Sequence, residues 1–369
     1  MTDTKPEFGR FFLTGPTEVH PRVLEAMTRP VIGHRGPAMT ELLREVDAPL
    51  RAVFRTSRPV YVSSSSATGL MEAAVRCGVR RRALALVNGA FSGRFRDLVG
   101  ECGREVETCD AEWGAAHDPD EVFRRVRAGG FDAVTVVHSE TSTGVLQPLA
   151  EIADAVRAAE RETGEETLLL VDGVTSVGGA EVEAEAWGLD LLLTGSQKAL
   201  ALPPGLAFAT AMPRFLERAA SIPGRGQYFD LVEFDRAWAR HQTPNTPAVS
   251  LVYALAEQVK RIQAEGIGAR VARHRAMAER CWEWVETAGA RWGLRVLAPQ
   301  GFRSPTNTAV VLPPERKGTQ VAAALEERGW TIAPGYGRLR DSTFRIGHMG
   351  DHTVEELDGL LAELEEVLG

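Results

Sequence analysis

Short apolar runs alternate with amphipathic stretches between Pro59 and about Phe208. Each run is continuously apolar, a pattern typical of strands in a parallel sheet that is covered on both faces. The segments between the runs, such as 70–77, carry apolar residues at helical spacing. The alternation predicts an α/β domain with a mostly parallel central sheet. The predicted strands are Pro59 to Val62, Ala83 to Val87, Ala133 to Val137, Thr167 to Val171, Leu189 to Leu193 and Gly205 to Ala209.

A second unit follows a turn-rich segment at 221–247. Residues 248–286 form a long helical region, and leucines from Thr353 onward recur at i, i+3, i+4 and i+7, which predicts a closing amphipathic helix. Between them the sequence predicts a smaller α+β domain. Its strands are expected near Leu294 to Leu297, Thr308 to Leu312 and Phe344 to Gly347.

These patterns divide the chain into three parts. We expect an N-terminal segment at 1–20 that lines the functional site, a large domain at 21–250 and a small C-terminal domain at 251–369. A length of 369 residues suits about two domains.

Composition narrows the class of protein. No apolar run approaches the roughly 18–20 residues of a membrane span. A net charge of −8 argues against nucleic acid or an anionic membrane as partner, since both require a basic surface. The four cysteines form no CxxC pair, and the N-terminus has no apolar signal region. We therefore expect a reduced, cytoplasmic protein that acts on a small molecule.

Lysine is rare in this chain. Only four of the 42 basic residues are lysines: Lys5, Lys198, Lys260 and Lys317. Arginine cannot be deprotonated or form a Schiff base, so lysine is expected where a primary amine is needed. Three of the four fit ordinary surface positions, whereas Lys198 follows a predicted buried strand, which makes it the candidate reactive amine.

Ligands of α/β sheets collect at the carboxyl ends of the strands. The first predicted strand leads into Ser63 to Gly69, which indicates either a phosphate site at a helix N-terminus or a serine cap. The second strand leads to Phe91, either a stacking aromatic or a core residue. The third leads to the hydroxyl-rich loop around Thr141, which also fits an N-capping turn.

The fourth predicted strand ends at Asp172, which fits a metal ligand, a helix cap or a buried carboxylate paired with a cation. No cluster with metal-ligand spacing surrounds it, which weakens the metal interpretation and leaves no predicted metal site. Val174 is expected on the same side as Asp172. Lys198 follows 26 residues later, one helix and one strand away, so the two side chains are expected to be neighbours.

This order of groups suits pyridoxal 5'-phosphate. Its phosphate requires a helix N-terminus, its aldehyde an amine, and its ring nitrogen a carboxylate. A nucleotide site is less well supported, because no GxGxxG or GxxxxGK[ST] motif is complete.

Taken together, the motifs resemble class V aminotransferases of pyridoxal-phosphate fold type I, in particular the alanine:glyoxylate and serine:pyruvate aminotransferase group. The resemblance covers most of the chain and is more specific for fold and cofactor than for substrate. Its motifs are Leu13 to Thr17, Gly33 to Arg35, Ser139 to Pro148, Val171 to Val174, Gly195 to Leu200 and Phe344 to Gly347.

The resemblance implies a role for each matched residue. Lys198 would bind the cofactor aldehyde and carry a proton during transfer, with Asp172 on the ring nitrogen. Phe91, where relatives often carry tryptophan, and Val174 would cover the two ring faces, and Thr141 would bind the ring hydroxyl. The remaining cofactor contacts would come from Ser66, Ala67, Thr68 and Gln197 and, donated by the other subunit of a homodimer, Thr246.

Two further residues are implied to bind substrate. Arg345 resembles the arginine that holds the α-carboxylate through its planar fork, and Gly15 lies in the N-terminal motif. In isolation Arg345 would fit an ordinary surface arginine. Its place in the motif Phe344 to Gly347 favours the functional interpretation. A second anion-reading group remains open among His34, Arg35, Arg225, His241 and Arg338, each of which also fits a solvated surface position.

The implied activity is ping-pong transfer of an amino group from alanine or serine to glyoxylate or pyruvate. Aminotransferases for phosphoserine, aspartate or aminoethylphosphonate are the alternatives. A lyase or cysteine desulfurase fits less well, because Gln197 stands where those relatives carry histidine and Cys281 has a helical context. A non-catalytic binding protein would have no reason to keep both Lys198 and Arg345.

Overall fold

The computed structural model describes residues 8–369, so Lys5 and the first seven residues of segment 1–20 lie outside the described part. Its α-helices are α1 (Pro21–Ala26), α2 (Pro37–Phe54), α3 (Ala67–Gly78), α4 (Ala90–Glu101), α5 (Pro119–Arg127), α6 (Leu149–Thr163), α7 (Pro213–Ser221), α8 (Leu231–Trp238), α9 (Val249–Glu265), α10 (Ile267–Glu286), α11 (Gly318–Glu327) and α12 (Val354–Leu368). Short 3₁₀ helices span Gly289–Trp292 and Gly337–Leu339.

The strands form one large sheet, one small sheet and one short hairpin. They are β1 (Val60–Ser63), β2 (Arg82–Val87), β3 (Glu105–Asp110), β4 (Ala133–Val137), β5 (Ser139–Glu140), β6 (Val145–Leu146), β7 (Leu168–Asp172), β8 (Leu191–Gly195), β9 (Ala207–Ala211), β10 (Arg295–Val296), β11 (Thr308–Val311), β12 (Ala333–Pro334) and β13 (Thr343–Ile346).

The large sheet has the order β1-β9-β8-β7-β4-β2-β3. Strands β2, β3, β4, β7 and β8 pair in parallel, and β9 is antiparallel to both of its neighbours. The predicted α/β class is therefore confirmed, as are the six predicted strands within two residues at each end. The carboxyl ends of β4, β7 and β8 lie side by side, which brings together the loops that follow them.

The hydrophobic positions build two cores. One surrounds the large sheet and runs from Val23 to Ile262, and the other combines Phe12 with residues from Met277 to Leu368. Helix α9 packs against α1 and α2 and is buried in the first core, so that core extends past residue 250, where we expected the large domain to end. The helical path is interrupted at Gly266, between α9 and α10. The φ of Gly266 is +83°, which is not helical and favours glycine.

The N-terminal segment connects the two cores. The Phe12 amide donates to the Thr331 carbonyl at 2.8 Å, and the segment then crosses to the loop after β8. There the Thr17 amide donates to the Gln197 carbonyl at 3.0 Å, and the Thr17 hydroxyl donates to the Lys198 carbonyl at 3.0 Å. The segment thus lies beside Lys198.

Arg270 holds α10 against the same loop. Its buried guanidinium donates to the Ala199 carbonyl at 2.7 Å and pairs with Asp351 at 2.9 Å and Glu265 at 2.8 Å. A buried arginine needs such partners, because an unpaired buried charge is strongly destabilising. The loop that carries Lys198 is therefore held by the N-terminal segment and by α10.

Candidate active site

A cavity of about 390 Å³ opens at the carboxyl ends of the central strands. Its size falls within the range of small-molecule sites. Most of the sequence-predicted residues line it: Gly15, Ser66, Ala67, Thr68, Phe91, Thr141, Asp172, Val174, Gln197 and Lys198. Residues from five separate loops and the N-terminal segment therefore meet at one point.

Lys198 lies three residues beyond β8 and is buried. Its ammonium donates to the Thr14 carbonyl, which comes from the N-terminal segment. Burial, assisted by the positive charge of Arg345, lowers the pKa of Lys198 from 10.5 to about 8. An amine with such a pKa is partly neutral, and therefore nucleophilic, near physiological pH.

Asp172 is the last residue of β7 and is also buried. Its Oδ1 accepts the Val174 amide at 2.8 Å, and burial raises the pKa of its carboxyl from 3.8 to about 7. The charge of Lys198 opposes that shift, as the charge of Asp172 opposes the shift of Lys198. The predicted proximity of the two side chains is thus reflected in their electrostatic coupling.

Helix α3 points its N-terminus into the cavity. Ser66 is the cap residue but makes no side-chain capping hydrogen bond, so the backbone N–H groups of Ala67 and Thr68 remain available, whereas that of Gly69 donates to the Ser66 carbonyl. Together with the hydroxyls of Ser66 and Thr68 and the Gln197 side chain, they offer several donors to an anion. The positive end of the helix favours a phosphate at this position.

Phe91 and Val174 provide apolar surface on the cavity wall. Phe91 is the second residue of α4, and its ring lies 5.3 Å from the ring of Tyr336, centroid to centroid. Thr141 is buried, and its hydroxyl forms a 2.6 Å hydrogen bond with the hydroxyl of Thr175, another wall residue.

Gly15 lies on the cavity wall directly beside the lysine side chain. Its φ of +103° lies in the region that favours glycine, and a Cβ atom there would lie 2.5 Å from Nζ of Lys198. Any other residue would therefore both strain the backbone and displace the amine.

Two predicted residues do not line this cavity in the described chain. Arg345 is buried beside it, where it donates to the Pro334 and Thr141 carbonyls at 3.0 and 3.3 Å. Burial lowers the pKa of Arg345 to about 10. Thr246 lines a separate small pocket, and its hydroxyl lies 3.5 Å from Nε2 of His34.

None of the proposed second anion readers lines the cavity either. Arg35 donates to the Thr243 and Pro244 carbonyls, and Arg225 pairs with Asp230 at 3.0 Å. Arg338 lies over the ring of Trp113, at 4.3 Å. These interactions engage the three side chains elsewhere, and His34 and His241 are likewise absent from the cavity wall.

Besides Lys198, the cavity wall carries a second basic side chain, Arg94, which we did not predict from the sequence. Its guanidinium lies 5.0 Å from the Phe91 ring centre and donates to the Tyr336 hydroxyl at 3.3 Å. Within residues 8–369 it forms no ion pair with a carboxylate. The signal was available for Arg94, since it follows Phe91 by one helical turn, but Tyr336 comes from the distant small domain.

Other chemistries find less support in the described chain. Residues 8–369 contain no group of three or more histidine, cysteine or acidic side chains that could hold a metal ion. Cys281 is buried in α10, and burial raises the pKa of its thiol to about 12, so it is a poor nucleophile. None of the described helices is both long and apolar enough to cross a membrane.

The lowered pKa of Lys198 predicts its reactivity. In cofactor-free protein, acetylation of Lys198 by trace acetic anhydride should rise with pH around a midpoint near 8, because only the neutral amine reacts. In the denatured chain the midpoint should lie near the ordinary value of 10.5. Mass spectrometry of the Lys198 peptide measures both curves, and coincident midpoints would contradict the described burial.

Comparison with known proteins identifies the family. The model of the family "Aminotransferase class-V" matches residues 94–336. L-aspartate–glyoxylate aminotransferase of Paracoccus denitrificans is 31% identical, covering 96% of this chain and 88% of its own, and serine–glyoxylate aminotransferase of Methylorubrum extorquens is 30% identical, covering 98% and 91%. The structure of alanine–glyoxylate aminotransferase from Nostoc superposes with a TM-score of 0.90 at 32% identity, covering 100% of this chain and 98% of the other. The chain therefore belongs to the class V aminotransferases and is a transaminase of that family.

Proposed function

We propose that this enzyme uses pyridoxal 5'-phosphate to transfer an amino group from alanine or serine to glyoxylate or pyruvate. The observation that carries the proposal is the single cavity that joins a buried lysine of lowered pKa, a buried carboxylate and an uncapped helix N-terminus. The relatives named above act on glyoxylate, as their names state. We further propose that the enzyme is a cytoplasmic homodimer.

The donor set of the cavity fits the cofactor. The uncapped N-terminus of α3, with Ser66 and Thr68, would hold the phosphate, and Gln197 stands beside them. Lys198 would hold the aldehyde carbon, and Asp172 would pair with the ring nitrogen. Phe91, Val174 and Thr141 would contact the two ring faces and the ring hydroxyl, and Thr246 of each chain would serve the site of the other subunit.

When bound, the cofactor supplies an electron sink that stabilises negative charge at the substrate Cα. Lys198 acts as the base and acid at that carbon, and a pKa near 8 lets its Nζ both accept and return a proton at neutral pH. Asp172 compensates the positive charge on the ring. Arg345 orients the substrate through its α-carboxylate.

A half-reaction screen tests the donor. Enzyme saturated with pyridoxal 5'-phosphate is mixed with one amino acid at a time and no acceptor. The change in absorbance of the cofactor is then followed. Alanine or serine should react fastest, and pyruvate or hydroxypyruvate should accumulate in an amount equal to the enzyme. No change with any amino acid would contradict the proposed function.

A dicarboxylic donor such as aspartate is the second candidate, and Arg94 favours it. The Arg94 guanidinium lies on the cavity wall and forms no ion pair within residues 8–369, which makes it suited to a second carboxylate. If aspartate is the donor, Arg94→Ala should raise KM for aspartate about tenfold or more, the loss expected for one charged hydrogen bond, and leave KM for alanine unchanged. Equal effects on both amino acids would exclude this specificity role.

A further inference from the structure

Glu140 is a fully buried carboxylate at the end of β5, directly before the wall residue Thr141. Its Oε2 accepts the Ser92 amide at 2.9 Å, the Ser92 hydroxyl at 3.0 Å and the Phe91 amide at 3.1 Å. Its Oε1 accepts the Ser142 amide at 3.1 Å and the Ser142 hydroxyl at 2.6 Å. Within residues 8–369 it forms no ion pair with a basic side chain.

These contacts make Glu140 the cap of a helix to which it does not belong. Helix α4 begins after Gly89, which has no side chain with which to cap it, and its first-turn amides need acceptors. The Glu140 carboxylate accepts hydrogen bonds from the amides of Phe91 and Ser92. The Ser142 hydroxyl accepts one from the Ala90 amide at 3.0 Å. A buried carboxylate is costly unless it is hydrogen-bonded, and the helix N-terminus favours its charge.

The space for this arrangement depends on Gly89. A Cβ atom at Gly89 would collide with Cγ and Cδ of Glu140 and would lie 2.6 Å from the Ser142 hydroxyl. The carboxylate therefore lies directly against the helix backbone, with no side chain between them. The position of α4 relative to the β5–β6 hairpin is fixed at this point.

The helix and the hairpin that Glu140 joins both contribute residues to the cavity wall. Helix α4 carries Phe91, and the hairpin carries Ser139 and Thr141. The backbone amide of Phe91 is bound to Glu140 itself, so a displacement of the carboxylate moves the aromatic ring relative to the Thr141 hydroxyl. Glu140 itself is absent from the cavity wall, so it acts on the wall through the residues that it holds.

We propose that Glu140 is a positioning residue that sets the Phe91 ring against the cofactor plane by capping α4 from the β5–β6 hairpin. The proposal rests on the proposed function, because it assigns Phe91 to the cofactor. Glu140 also acts by charge, since it raises the pKa of Lys198 and that of Asp172. These electrostatic effects accompany the geometric one.

A double-mutant cycle tests this role. The dissociation constant of pyridoxal 5'-phosphate is measured for the wild type, Glu140→Gln, Phe91→Ala and the double variant, with visible circular dichroism as a report on ring orientation. Glu140→Gln should weaken binding about tenfold and reduce the dichroic band. In the Phe91→Ala background the same substitution should weaken binding less than about threefold, because the ring it positions is gone. Additive effects would overturn the proposal.

Ser92→Ala serves as the matched control, because it removes one hydroxyl donor to Glu140 but keeps the carboxylate and its bonds to the Phe91 and Ser92 amides. It should lower the melting temperature and leave cofactor affinity within about twofold of wild type. An equal loss of affinity in Ser92→Ala and Glu140→Gln would indicate general loosening of α4 and contradict the proposal. If Glu140→Gln fails to fold, Glu140→Asp, which keeps the charge but shortens the reach, replaces it in the cycle.

Hydrogen exchange provides a readout without cofactor. In the cofactor-free protein, Glu140→Gln should accelerate exchange of the Phe91 and Ser92 amides about tenfold, whereas unchanged protection would overturn the capping role. The wild type tests the proposed function separately: if it takes up no pyridoxal 5'-phosphate, the proposed function fails and the positioning role fails with it. If the wild type binds the cofactor but the effects in the double-mutant cycle are additive, only the positioning role is overturned.

Discussion

Lys198→Ala should reduce the rate of amino transfer by at least about 10³-fold. In the proposed mechanism the substitution removes both the amine that would hold the cofactor and the group that would carry the proton at the substrate Cα, and general acid–base groups alone contribute about 10²–10⁴-fold. The single-turnover rate with the best donor of the half-reaction screen measures the loss. The variant should still fold, because deleting a buried lysine removes a costly charge.

Lys260→Ala is the matched control for that experiment. Lys260 is exposed and pairs with Glu45 at 2.5 Å, and an exposed ion pair contributes about 1 kcal/mol or less. The control should therefore keep wild-type turnover. Substantial activity in Lys198→Ala, at more than a tenth of the wild-type rate, would exclude Lys198 as the reacting amine.

Asp172→Asn should reduce kcat/KM by about 10²–10³-fold, equivalent to about 3–4 kcal/mol, the loss expected when one preorganised electrostatic group is removed from an active site. The amide keeps the shape of the side chain but could not compensate positive charge on the ring of the proposed cofactor. A second effect is independent of the cofactor. The anion of Asp172 raises the pKa of Lys198, so its loss should move the acetylation midpoint of Lys198 below 8.

Asp190→Asn separates this effect from a loss of stability. Asp190 is another buried carboxylate, but it pairs with Arg157 at 2.5 Å and Arg214 at 3.1 Å, away from the cavity wall. Its amide variant should lower the melting temperature and leave kcat/KM of the folded enzyme unchanged. If Asp172→Asn and Asp190→Asn lose activity equally, the role assigned to Asp172 is wrong.

The sequence predicts the strands of the large sheet wherever burial is complete on both faces. It misses β3 because Glu105–Asp110 is an edge strand whose polar residues face solvent, so it has no continuous apolar run. It misses the division between α9 and α10 because one long helical pattern continues across Gly266. The short strand Ala333–Pro334 carries too few residues to give any period.

The residues of the cavity are likewise predictable only where a local sequence pattern places them. Residues that directly follow an apolar run, such as Asp172 and Phe91, can be placed at the sheet edge from the sequence alone. Tyr336 reaches the cavity from the small domain, and no local pattern links it to Phe91. The role of Glu140 could not be predicted, because a buried and an exposed glutamate are indistinguishable in the sequence. Only the folded position of α4 shows that Glu140 caps this helix.

The most direct test of the account is to trap pyridoxal 5'-phosphate on the wild-type protein with borohydride and map the modified peptide by mass spectrometry. We expect one modified lysine per chain, in the peptide that contains Lys198. Modification confined to Lys260 or Lys317, or protein that takes up no cofactor at all, would contradict it.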